Sequence, residues 1–146
     1  MVTLTSHDVA VRQLNHAISL FLNMEEIVSA ITLAGAAEEI LGKLAQEAGH
    51  TPSLKRKTSL RRNAFVDVFG RDCGDKPFAD HMNKTRNSFK HSPKEAIVKC
   101  DLQQEAIRML DRAIENYKLL HPRRSPLIVA YEKRRIELWR QKHDQQ

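Results

Sequence analysis

Residues 24–48 read MEEIVSAITLAGAAEEILGKLAQEA. Ile27, Ile31, Ala34, Leu41 and Leu44 recur at helical spacing and make one broad apolar face. Gly49 follows directly, where a glycine suits the left-handed residue that closes a helix. Inside the run, Ala34-Gly-Ala-Ala37 is small enough to let a neighbouring helix come close. Upstream, Leu14, Ile18 and Phe21 form a second stripe, predicting a helix from an N-cap at about Ser6 to about Asn23. Downstream, residues 49–58 around Pro52 read as a loop, followed by a third helix over about Ser59–Phe69. Arg71 to Asp75 reads as a turn, and a fourth helix is expected from about Pro77 to Lys90, ended by Pro93. A fifth is expected from Pro93 or Lys94 to Leu120, strongest after Leu102, with Ile107, Leu110, Ile114 and Tyr117 on one face. Ser125-Pro126 pairs an N-cap with a first-turn proline and opens a last helix. Nothing alternates at period two. The reading is all-α: an up-and-down bundle of five or six helices in one domain over 1–146, its core within about 6–121, with a basic C-terminal helix at about 126–142.

Composition agrees. Apolar residues are 41% and charged residues 29%, while aromatics are 5% and Gly and Pro number five each, which argues against β-rich, collagen-like and disordered classes. The longest uncharged runs, 13–24 and 27–37, fall short of a membrane span. The first residues lack a basic segment followed by an apolar one, so no signal peptide is read and a cytoplasmic location is expected. Cys73 and Cys100 do not make a disulfide framework.

Charge is unevenly placed. The chain carries +6, yet residues 1–50 hold two cations against six acids, a net −4, leaving +10 for the rest. Lys55, Arg56, Lys57, Arg61 and Arg62 lie within ten residues that contain no acid. Such a strip suits phosphate contacts, and equally a solvated loop. Lys90 joins these five as a candidate nucleic-acid contact.

The segment Thr85-Arg-Asn-Ser-Phe-Lys-His-Ser-Pro93 concentrates the chemistry. Arg86 offers a flat fork for a phosphate, and His91 a group that exchanges protons near neutral pH. Asn87 is placed to orient either the arginine or a ligand. Five helical residues turn through about 500°, so the two side chains point about 140° apart on an ideal helix. They converge only if the helix frays there or a second copy of the chain completes the site.

This pattern resembles the HEPN superfamily, small all-α domains marked by Arg, four to six residues, then His, with a polar residue after the Arg. Arg86, Asn87 and His91 match it at the shortest permitted gap. Chance alone supplies about 0.6 Arg-x4-His matches in this composition, and about 0.03 once Asn must follow the arginine. Leu33-Ala-Gly-Ala-Ala-Glu-Glu-Ile-Leu41 is similar to the second helix of such proteins, where an acid often faces the motif; Glu38 and Glu39 are the candidates. The resemblance implies cleavage of RNA without metal or cofactor, by a homodimer whose motifs share one cleft. Arg86, His91 and Asn87 would then form the catalytic set, Asn87 by orienting, with Glu38 or Glu39 as the supporting acid. It also implies a toxin or phage-defence role, with a cognate antitoxin such as a nucleotidyltransferase as a further partner. Other members keep the fold and only bind nucleotides or partner proteins, which is the alternative here.

Other constellations carry less. Cys73, His81, His91 and Cys100 lack the short spacings of a zinc site. Asp80-His81 reads as a solvated helix face, and Asn83-Lys-Thr85 as a chance sequon. Tyr131, Leu138 and Trp139 with Lys133, Arg134, Arg135, Arg140 and Lys142 make the last helix basic and amphipathic. It is read first as packing on the bundle or a dimer mate, then as RNA contact, with a membrane surface last.

Overall fold

The apolar stripes organise a computed structural model that describes residues 1–91 and 99–144. It contains α1 (Ser6–Leu22), α2 (Ile27–Glu47), α3 (Ser53–Phe69), α4 (Lys76–His91), α5 (Leu102–Leu120) and α6 (Pro126–His143), and no strand among the described residues. The chain is therefore all-α.

Helix α2 is central. It packs along α1 on one side and α5 on the other, while α6 covers α1. Leu14, Ile18 and Phe21 of α1 meet Ile31, Ala34 and Leu41 of α2 in the core, all buried. Leu110 and Ile114 of α5, with Ile128 and Tyr131 of α6, complete it. Alanines at 10, 17, 30, 34, 37, 106 and 113 line the same core, so the helices approach closely. Each large aliphatic buried here contributes about 1.5–3 kcal/mol. The Tyr131 hydroxyl satisfies itself inside, donating to Asp111 at 2.9 Å and Ile107 O at 3.2 Å. Burial and the neighbouring Asp111 push that phenol up.

Helices α3 and α4 pack on each other, α4 also on α2 and α3 also on α5. No residue of α4 is fully buried; Phe89 reaches the core from it half-buried. Among the described residues, no helix is long and apolar enough to cross a membrane.

Several boundaries differ from the sequence reading. The cap of α1 is Thr5, not Ser6: its hydroxyl accepts from Asp8 N while the Asp8 carboxylate accepts from Thr5 N, a closed capping box. Those side-chain and backbone hydrogen bonds hold the Asp8 carboxyl below its usual range. Helix α3 starts at Ser53, six residues early, so the cationic strip is helical and not a loop. Helix α4 runs from Lys76 through His91. Helix α5 begins at Leu102, where the Asp101 carboxylate accepts from Gln104 N; the start expected at Pro93 or Lys94 lies outside the described residues. Helix α6 follows its expected Ser125 cap and Pro126 start.

Candidate functional site

Met82, Asn83, Arg86 and Phe89 are spaced to share one face of α4. Arg86 extends over α2 at Gly35. A methyl group built on residue 35 would lie 2.5 Å from Arg86 Cδ, so the glycine is what lets the arginine stem lie flat there. Its guanidinium reaches the α2 acids one turn on. Nη1 stands 3.8 Å from Glu38 Oε2, 4.0 Å from Glu39 Oε2 and 3.4 Å from Gly35 O. Nη2 donates to Asn87 Oδ1 at 3.4 Å. Both candidate acids thus face the motif arginine, but only Glu38 is buried.

A second arginine, which sequence reading passed over, explains that burial. Arg112 of α5 is 3% exposed and pairs with Glu38 Oε2 at 3.0 Å. It also donates to Asn83 Oδ1 at 2.8 Å and Met82 O at 3.3 Å. One carboxylate therefore stands between two guanidinium groups and ties α2, α4 and α5 together. Among the described residues, neither the Nε–H of Arg86 nor that of Arg112 has a partner, and both are buried. Arg112 follows a helical pattern and carries no motif, so the one available signal was a cation on the stripe otherwise filled by Met109, Ala113 and Asn116.

Outside this clasp lies an open pocket of about 250 Å³ bordered by Glu38, Glu39, Asn83, Arg86 and Lys55. It brings the first cation of the strip beside the motif arginine. The remaining strip residues divide. Arg56 and Lys57 pair with Glu115 at 2.7 and 2.6 Å. Desolvation works against it, but hydrogen bonds from Lys57 and Ser53 bring the Glu115 carboxyl below its usual range. Arg62 is paired with Asp72 and stands 3.5 Å from Asp75. Lys55 and Arg61 carry no ion pair among the described residues. Part of the strip that reads as phosphate-contacting is thus engaged within the fold.

His91 is exposed on the last turn of α4, as is Lys90. Because α4 is helical through His91, fraying does not rotate the histidine toward Arg86. Arg86, Asn87, Glu38 and Glu39 come together within one chain; His91 does not join them. Asp80 pairs with Lys76 at 2.6 Å, not with a histidine. Among the described residues, no three His, Cys, Asp or Glu are grouped so as to hold a metal ion. Comparison of the chain with protein-family models, with curated proteins and with solved structures found no match.

Proposed function

We propose that the chain is a metal-independent RNA endonuclease of the HEPN type, toxin-like or defence-related, acting as a homodimer. The observation that supports this is the pairing of Arg86 with the α2 acids. The arginine of the Arg86-Asn87…His91 pattern is braced from behind by a buried Glu38, and its fork borders an open pocket. His91 and Lys90 stand exposed on the same helix, where a second copy can meet them.

The chemistry follows from the residues. His91 takes the proton of a ribose 2′-hydroxyl, and the 2′-oxygen attacks the adjacent phosphorus. Arg86 neutralises charge gathering on the phosphoryl oxygens. The bond from phosphorus to the 5′-oxygen breaks, and that oxygen takes a proton, for which the second copy supplies another imidazole. Products are a 2′,3′-cyclic phosphate and a 5′-hydroxyl.

The test is incubation of the protein with mixed RNA in EDTA, with end-group analysis of the fragments. Cleavage with cyclic-phosphate ends is expected. His91→Ala lowers the rate about 10²–10⁴-fold, and Arg86→Ala by a comparable factor. Arg86→Lys recovers only part, because an ammonium lacks the fork. Asn87→Ala costs less. Undiminished cleavage by His91→Ala, or none by the folded wild-type dimer, sinks the proposal; the second result favours a non-catalytic module that binds a nucleotide or a partner protein.

A further inference from the structure

An open groove of about 730 Å³ lies between the start of α5 and the end of α6, and none of the motif residues lines it. Its apolar floor comes from Ile107, Ile136 and Leu138. Trp139 forms one wall and is 61% exposed, a large cost in unburied aromatic surface for a chain with a single tryptophan. The indole is also held in place. His143 stacks on it with ring centroids 4.3 Å apart, and His143 Nδ1 lies 2.9 Å from Trp139 O. The result is a stacked Trp139–His143 pair beside an open slot, with the other face of the indole left uncovered by His143. Side-chain amides of Gln103, Gln104 and Gln141 line the same groove.

Charge decides which occupant suits it. From residue 133 onward α6 carries Lys133, Arg134, Arg135, Arg140 and Lys142 against Glu137. Arg135 is drawn to Asp111 at 3.0 Å and Arg134 to Glu137 at 3.4 Å. Lys142 lines the groove without an ion pair among the described residues. Asp101, the groove's acid, is occupied in capping α5. A planar ring face, amides that read base edges and a cation beside them suit an unpaired nucleobase with its phosphate. A duplex keeps its bases stacked inside and does not offer one.

We propose that this groove binds single-stranded RNA by stacking a base on Trp139, at a site separate from Arg86 and His91 and independent of whether the chain cleaves. The single tryptophan is its own probe. The experiment titrates the full chain with a 2′-O-methyl oligonucleotide, which lacks the 2′-hydroxyl needed for cleavage, and follows indole fluorescence together with anisotropy of a labelled strand. Saturable quenching by the single strand is expected, and much weaker quenching by the matching duplex or by inorganic polyphosphate. Trp139→Ala lowers affinity about 5- to 150-fold, and Trp139→Phe less. Lys142→Gln reduces the salt slope by about 0.7. His91→Ala leaves the quenching unchanged. Equal quenching by duplex, unaltered affinity in Trp139→Ala, or an indole signal that tracks protein concentration and not RNA would overturn the proposal; the last marks the groove as an interface between copies.

Discussion

Two halves of this molecule are held by different forces. Helices α1, α2, α5 and α6 meet through a continuous buried core of alanines, large aliphatics, Phe21 and Tyr131, with the Glu38–Arg112 pair set between α2 and α5. Helices α3 and α4 bury two polar residues between them, Ser53 and Thr58, and otherwise lean on ion pairs and half-buried aromatics such as Phe65 and Phe78, with ring centroids 6.0 Å apart. The charged contacts decide what α4 presents to solvent. The candidate chemistry sits on the looser half, with its one firm footing at Glu38.

The largest effect is expected where the halves touch. Glu38→Ala leaves Arg112 buried without a counter-charge and costs about 3–5 kcal/mol in denaturant unfolding. A paired replacement, Glu38→Leu with Arg112→Met, costs less than the single change, because both charges leave together. If the single change costs nothing, the clasp is incidental.

Truncation separates the halves next. Leu110→Ala in the core costs about 2–5 kcal/mol. Val68→Ala on the exposed side of α3 stays within about 0.5 kcal/mol. Similar losses at both positions would erase the distinction.

Gly35→Ala sharpens it by splitting stability from activity. Alanine favours the helix by up to about 1 kcal/mol, yet its methyl takes the place of the Arg86 stem. The expected result is a melting point little changed and RNA cleavage reduced toward that of Arg86→Ala. Loss of both together places the clash in the core instead.

The smallest effect is electrostatic. The Arg62 side chain holds Asp72 down to about 2 from an ordinary 3.8, helped by Gly74 N–H. A depressed carboxylate stabilises the fold fully above its unfolded value and loses that contribution as pH falls through the folded one. The end of the α3–α4 hairpin therefore weakens between about pH 4 and pH 2. Melting curves of Arg62→Gln over that window are expected to be flatter than those of the wild type.

The apolar half was legible in the sequence because its code is periodic. Leu14, Ile18, Phe21, Ile31, Leu41, Leu110 and Ile114 sit where spacing places them. The start of α3 was not, because its support comes from far along the chain. Ser53 N–H donates to Asn116 Oδ1 at 2.7 Å, across 63 residues, and Ser53 Oγ to Glu115 at 2.5 Å. No local pattern announces such a cap after Pro52. Arg56 and Lys57 looked like solvent-facing cations for the same reason, since Glu115 is distant in sequence. At the site, the motif pointed to Arg86 and the resemblance of the second helix to the two acids, and a 100° turn per residue foretold that His91 would diverge from Arg86. Arg112 stayed hidden because burial of a charge depends on a partner that only tertiary packing supplies.

Asn116 itself carries a consequence for how the molecule opens. Fully buried, it accepts from Ser53 N–H and donates to Glu38 O at 3.0 Å, and Gly42 leaves room for it, since a methyl there would stand 3.1 Å from its amide nitrogen. One side chain thus latches the first turn of α3 to the stretch of α2 that braces Arg86. When α3 lifts, the Ser53 end of the latch lets go while the bond from Asn116 to Glu38 O stays within the α2–α5 contact, so the α3 cations loosen before the floor beneath the motif does. In hydrogen exchange, the Ser53 amide becomes the timekeeper of that partial opening, well before the amides of α2 feel global unfolding.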